Sequence, residues 1–302
     1  MSEREPFHIL LPFWGRFDHF RIAVESVLAQ SDTAWRLTVV DDVYPDTAPG
    51  EWVQSLGDPR IEYVRNAENL GVSKNYLACV DRMRGEYSML LGCDDRLLPG
   101  FLARVRALID AHPGVAIVQP GAEVIDAEGR VVRPLVDRAK TMLRPRTNGP
   151  LVLQGERLAQ SLLRGNWTYF PSLVWRVDLL RRYGFDPDLD VVQDLIMLLD
   201  ITAEGGVMVL DDEVQFQYRR HGSSVSSATA VDGSRFRQER TLFDAQQARF
   251  AALGWRRAAA AARAHWFSRF NALTRVPAAV AQRNGAGVRA LMRHVVGLRI
   301  PA

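Results

Sequence analysis

Two rhythms of apolar residues alternate along the first half of the chain. FHILLP at 7–12 is an apolar run of strand length, closed by a polar turn. FDHFRIAVESVLAQ at 17–30 puts Phe20, Val24, Val27 and Leu28 on one helical face. WRLTVVDD at 35–42 is strand-like and ends in acids, and IEYV at 61–64 is a further short strand. LGVSKNYLACVDRM at 70–83 returns to helical spacing, and YSMLLG at 87–92 reads as a strand. PGFLARVRALIDAH at 99–112 is a helix with proline at its start, where a missing N–H costs nothing. GVAIVQPGAEVIDAEG at 114–129 supplies one or two strands. Strands separated by helices of about 10–15 residues predict an α/β fold with a mostly parallel sheet covered on both faces. Ligands of such open sheets bind at the carboxyl ends of the strands.

The pattern loosens after residue 130. VVRPLVDRAKTMLRPRTNGP, rich in proline, reads as an irregular, mobile loop near a site, followed by a helix in LQGERLAQSLLRG. FPSLVWRV at 170–177 is a strand, residues 188–205 are mainly helical, and 207–222 form a strand or hairpin. SSVSSATAVDGS at 223–234 is a low-complexity linker, and two or three amphipathic helices rich in alanine and arginine follow it.

Composition changes this picture in one respect. The 302 residues are 47% hydrophobic and 24% charged, an ordinary globular balance with a net charge of only +3. The charge is unevenly spread. From Arg235 onward there are many arginines and only two acids, Glu239 and Asp244, so the tail is basic and the rest net acidic. Such asymmetry predicts an anionic partner for the tail or a solvated helix pair packed on the domain or a second subunit, which leaves a homo-oligomer open. Trp255, Trp266, Phe267 and Phe270 among the arginines suit a membrane surface. Nucleic acid is not expected, since no recognition motif accompanies the basicity. The start, MSEREPFHILLP, lacks the basic-then-apolar pattern of a secretory signal, and no apolar run approaches about 20 residues. A cytoplasmic protein is expected, soluble or peripheral on the inner face of the cell membrane. Cys79 and Cys93 make no disulfide framework or metal cluster.

Candidate chemistry gathers at the predicted strand ends LLPFWGR, VVDD and LLGCDD. Trp14 can stack on a nucleobase or pack inward. Asp42 can accept the imide N–H of a pyrimidine. Asp94 and Asp95 can hold a divalent cation, and oxygen ligands suit magnesium or manganese.

These stretches stand in the order found in the family 2 glycosyltransferases, which the chain resembles from about residue 7 to 226. LLPFWGRFDHFRIAVESVLAQSDTAWRLTVVDD resembles the family's opening, ENLGVSKNYLACVDRMRGEYSMLLGCDDRLLPG its N-x-G segment and D-x-D-D strand end, FPSLVWRVDLLRRYGFDPDLDVVQDLIMLL its acceptor-side segment, and YRRHGSSVS its Y-R-x-H close. The resemblance implies a GT-A fold (Rossmann-like) with a nucleotide-binding half over about 1–115, an acceptor half over 116–226, and a basic helical extension over 227–302. It implies inverting, metal-dependent transfer of a sugar from a nucleotide diphosphate to a hydroxyl of a glycan or lipid-linked glycan. A UDP- or dTDP-linked donor is favoured, and the setting is bacterial cell-wall or polysaccharide biosynthesis. It assigns Asp194 as general base; Pro12, Trp14, Asp42, Lys74 and Asp94 as donor-binding; and Asp94, Asp95 and His221 as ligands of manganese or magnesium. Gly92 stands where the first acid of the D-x-D is common, Trp14-Gly15 where Tyr-Asn is usual, and Gln193 where glutamate precedes the base. A non-catalytic nucleotide-sugar binder that keeps the fold is the alternative. A nucleotidyltransferase would want a glycine-rich loop that FWGR does not offer.

Overall fold

The computed structural model describes residues 5–146, 148–185, 192–220 and 234–296. Its first half runs β1 (Phe7–Phe13), α1 (Phe17–Leu28), β2 (Trp35–Asp41), α2 (Ala48–Ser55), β3 (Ile61–Arg65), α3 (Val72–Arg82), β4 (Tyr87–Leu90), β5 (Arg96–Leu97) and α4 (Phe101–Ala111). Then come β6 (Ile117–Ile125), α5 (Leu135–Leu143), β7 (Leu151–Gln154), α6 (Gly155–Arg164) and β8 (Val174–Arg176), the last preceded by a 3-10 turn at Phe170–Ser172. The chain continues with α7 (Val177–Tyr183), α8 (Gln193–Ala203) and β9 (Val207–Arg219). Among the described residues four helices follow: α9 (Ser234–Ala252), α10 (Arg256–Ala264), α11 (Trp266–Ala281) and α12 (Gly285–Val296).

The nine strands form one sheet in the order β3-β2-β1-β4-β8-β6-β9-β5, with β7 also paired to β9. The parallel pairing expected from the helix-separated strands holds for β3, β2, β1 and β4, and again for β6 with β9. The short β8 runs antiparallel to both β4 and β6, and β5 and β7 run antiparallel to β9. The sheet is therefore mixed: a parallel half carries the strand ends that bear acids, and an antiparallel seam joins it to the rest.

Both faces are buried, and strand alternation explains how. Ile9, Leu11, Leu37 and Val39 point to the layer formed with Phe20, Val24, Phe101 and Val105 of α1 and α4. Leu10, Val40 and Leu90 point the other way, into a layer with Cys79 of α3, Leu162 of α6 and Leu198 of α8. That second layer also takes in Phe250 of α9 and Ala258 and Ala262 of α10. The small alanine side chains let α10 lie close on α6, and Arg249 of α9 ion-pairs with Asp200 of α8. The helical extension thus shares the main core rather than forming a separate hydrophobic unit, apart from a small cluster of Phe236, Ala272, Ala279 and Leu291.

The segment read as an irregular loop contains a helix. Pro134 caps α5, and Leu135, Val136 and Met142 face solvent, so the usual apolar signature is missing. Ionic ties hold it instead. Asp137 is buried and ion-pairs with Arg220 Nε at 2.7 Å, Lys140 Nζ donates to the Thr168 carbonyl at 2.9 Å, and Arg144 pairs with Asp212. On β9 a register shift falls opposite Gly121, where a Cβ would sit 2.6 Å from the carbonyl oxygens of Asp212 and Glu213. The single bent strand replaces the hairpin alternative.

Candidate active site

The carboxyl end of β2 is closed by its own acids. Asp41 is fully buried; it accepts from the Tyr44 N–H at 2.7 Å and from Arg65 Nη1 at 2.7 Å, and bonds the Tyr63 hydroxyl. Asp42 is 2% exposed and accepts the backbone N–H groups of Leu70 at 2.8 Å and Gly71 at 2.9 Å, with the Asn66 amide at 2.9 Å. Asn66 also donates to Asn75 Oδ1, and Asn75 donates to the Val40 carbonyl. The 66–71 loop is therefore stitched to the strand end immediately before α3. These three bonds occupy most of the roughly four lone-pair positions of the Asp42 carboxylate. Pro12 pairs in register with Val40 at the end of β1. Trp14 follows it and is 50% exposed, its ring standing edge-on to Tyr44 at 5.6 Å. Lys74 is exposed on the first turns of α3.

The end of β4 turns sharply. Asp95 N–H returns to the Gly92 carbonyl at 3.2 Å, which folds the Asp95 carboxylate back over Gly92. A Cβ on Gly92 would lie 2.4 Å from Asp95 Oδ2 and 3.3 Å from Asp94 Oδ1. The space that a side chain at 92 would need is already filled by the two acids. Asp95 Oδ1 accepts the Arg219 N–H at 2.8 Å, but Oδ2 is buried with no hydrogen-bond partner. Burial first, and the neighbouring Asp94 second, push the Asp95 carboxyl well above the usual carboxylate range, despite the bond from Arg219. Arg219 is itself buried and clamps the turn: Nε donates to the Asp94 carbonyl at 2.7 Å, and Nη1 to the carbonyls of Asp126 and Ala127. Burial first, and then Asp94, push the Cys93 thiol up to about 12.

An orphaned, buried carboxylate oxygen beside a second carboxylate is a donor set that a divalent cation fits, since a bound charge would offset the desolvation that no protein group relieves. Among the described residues no group of three or more His, Cys, Asp or Glu side chains is placed to hold a metal. His221, expected as a third ligand, lies outside the described residues.

Asp194 lies in the first turn of α8. Its Oδ2 accepts the Asn166 amide at 2.8 Å and its Oδ1 the Leu195 N–H at 2.8 Å. It lines a cavity of about 240 Å³ together with Tyr169, Phe170 and Tyr218. Tyr218 joins the two halves of the site: it borders this cavity, and its phenol is pushed up by burial first and then by Asp95 and Asp94. Tyr76 of α3 meets Phe170 edge-on at 5.5 Å, and its phenol is pushed well up by burial first and then by Cys93, Asp94 and Asp95. Gln193, the residue before Asp194, donates to Ser73 Oγ at 2.7 Å and so ties α8 to the start of α3. The C-terminal helices add Phe243, Phe267, Asn271 and Arg275 to the cavity wall.

Asp94, Asp95, Asp42 and Trp14 are thus grouped at one end of the sheet, with Asp194 in the adjoining cavity. Sequence reasoning missed Arg219, Asn66, Asn75, Asn166 and the cavity-lining residues of α11. The doubled arginine in YRRHG was a signal for Arg219; the other contacts join residues far apart in sequence and left none.

The mixed sheet covered by helices, with an acid turn at the end of β4 and the Asp194 cavity beside it, has the architecture of the GT-A fold. Residues 8–157 match the family described as Glycosyl transferase family 2, and the chain belongs to that family. It is 27% identical over 211 residues to the succinoglycan biosynthesis protein ExoO of Rhizobium meliloti (strain 1021), covering 70% of this chain and 59% of that protein. It is 31% identical over 106 residues to the putative colanic acid biosynthesis glycosyl transferase WcaA of Escherichia coli K12, covering 33% of this chain and 38% of that one. The structure of S. aureus TarS 1-349 in complex with UDP-GlcNAc is similar in fold, with a TM-score of 0.62 at 16% identity, over 79% of this chain and 66% of that one. The match thus spans about three fifths of the length of the succinoglycan protein.

Proposed function

We propose that the protein is an inverting glycosyltransferase of polysaccharide biosynthesis, moving a sugar from a UDP- or dTDP-linked donor to a hydroxyl of a glycan or lipid-linked glycan. The observation that carries the reading is the orphaned Asp95 Oδ2 beside Asp94, with the amide-held Asp194 in the adjoining cavity. The family membership and the relatives named for succinoglycan and colanic acid synthesis support it. The UDP-GlcNAc complex of TarS supports a nucleotide-sugar donor.

In this reading Trp14 stacks on the base, Asp42 accepts its imide N–H, and Pro12 shapes the edge of that pocket. Lys74 approaches the diphosphate from α3. Asp94 and Asp95, with His221, would hold manganese or magnesium, which supplies Lewis-acid stabilisation to the leaving diphosphate. Asp194 takes the proton of the acceptor hydroxyl as its oxygen bonds to the anomeric carbon. The bond from that carbon to the diphosphate breaks with its electron pair, and a single displacement inverts the configuration. Asn166 orients Asp194 for the transfer. Residues 1–226 form the catalytic unit, and the extension after 227 completes the acceptor wall. A screen of UDP-, dTDP- and GDP-sugars by thermal shift with manganese tests the donor class, since ligands of the native state raise its apparent stability. Stabilisation only by GDP-sugars would overturn the donor assignment, and nucleotide binding without turnover of any donor would leave the non-catalytic binder.

A further inference from the structure

We propose that α11 seats this protein on an anionic bilayer surface. Trp266 is 72% exposed, Phe270 62%, Leu273 47% and Val280 58%, and Pro277 is exposed among them. Spacings of four and three residues hold these five side chains within an arc of about 100° on one face of the helix. That arc carries no charge. Scattered exposed apolar residues are normal, but a continuous aromatic and aliphatic stripe on one helix marks a contact surface.

Charge selects the occupant. Between Ala245 and Val296 there are nine arginines and no aspartate, glutamate or lysine. Arg256, Arg257, Arg263, Arg283, Arg289 and Arg293 are exposed, and the Arg269 guanidinium lies 5.7 Å from the Trp266 ring. An apolar stripe with an indole and the Arg269 guanidinium at one end, on an extension rich in exposed arginine, matches the boundary between acyl chains and anionic headgroups. A second copy of this chain would bring a second set of the same arginines to the stripe. Among the described residues no helix is long and apolar enough to cross a membrane, so the contact is with the surface.

The reverse face of α11 gives the docking a consequence. Phe267, Ser268, Asn271 and Arg275 line the cavity that holds Asp194. One helix therefore contributes to the cavity wall on one side and forms the apolar face on the other, and seating it on the bilayer brings the cavity to the membrane surface. The docking stands independently of the transfer reading, because the stripe lies outside the catalytic residues.

The test is flotation of the purified full chain with vesicles of phosphatidylcholine, with and without phosphatidylglycerol. Binding is expected only where phosphatidylglycerol is present, and weakening with salt. The double variant Trp266→Ser, Phe270→Ser should partition roughly tenfold or more weakly, as expected for withdrawing two large apolar side chains from the interface. Its thermal midpoint and its nucleotide response should match the wild type, since both side chains are solvent-exposed. Equal binding by the double variant and the wild type would overturn the proposal, as would no binding to the anionic vesicles. So would a solution dimer that the double variant splits while vesicles bind neither protein; the stripe would then be a contact between copies.

Discussion

Gly92 and Asp95 occupy one space: a Cβ at position 92 would lie 2.4 Å from Asp95 Oδ2. The glycine is a requirement of how Asp95 is folded, and an acid restored there would displace the carboxylate that the turn exists to hold. Gly92→Ala should lower the thermal midpoint by the equivalent of roughly 1–3 kcal/mol, the usual cost of overpacking. It should also abolish stabilisation by manganese. Gly92→Asp should do more damage than Gly92→Ala. Differential scanning fluorimetry with and without the ion reads both effects.

Asp95→Asn separates metal holding from folding. The asparagine keeps an acceptor for the Arg219 N–H and removes a buried carboxyl whose Oδ2 no hydrogen bond satisfies. Without metal, the variant should be as stable as the wild type at neutral pH or more so. With manganese, the wild type should gain stability and the variant should not. A variant that is both less stable and still metal-responsive would show that Asp95 acts through its fold contacts alone.

Asp42→Asn should loosen the loop over β2. One of its oxygens becomes an NH2 group facing a donor from Leu70 or Gly71. Leaving a buried donor unsatisfied costs about 1–3 kcal/mol. The thermal midpoint should fall accordingly, and titration calorimetry should show weaker nucleotide binding.

Acid should destabilise the protein through its buried histidines. His8 is drawn down to about 4 by burial first and then by Arg84; its Nδ1 accepts the Arg84 N–H at 3.0 Å, and Nε2 bonds Thr38 Oγ1 at 2.9 Å. His294 is also drawn down to about 4, by burial and then by His265. Between about pH 6.5 and 4 the unfolded chain binds protons that the folded chain refuses, so stability falls as pH falls through that window. Each histidine contributes a slope of up to ~1.4 kcal/mol per pH unit. His8→Gln, which preserves one donor and one acceptor, should flatten the dependence of the thermal midpoint on pH.

Most of the first half of the fold was legible because its strands and helices carry undisturbed periods; the short α2 and the two-residue β5 were not read, being too brief to show one. α5 was not, since prolines flank it and ion pairs rather than an apolar face hold it. The acid pair at 94–95 stood out by its place after an apolar run. Its geometry did not: the orphaned Oδ2 depends on a clamp from Arg219, 124 residues away. Gly92 read as a missing acid because only three-dimensional packing shows that its space is taken. The cavity wall supplied by α11 lay hidden for a related reason. The extension's basic charge drew the reading outward, while Phe267, Asn271 and Arg275 face inward.

The central claim is that Asp194 takes the proton of the acceptor hydroxyl. The most direct measurement is transfer by Asp194→Asn under conditions where the wild type turns over, with nucleotide binding followed in parallel. The amide keeps the size of the side chain and cannot accept the proton, so transfer should fall by roughly 100- to 10,000-fold. Nucleotide affinity and the thermal midpoint should stay near wild type. Transfer at the wild-type rate would contradict the assignment and move the base elsewhere in the cavity.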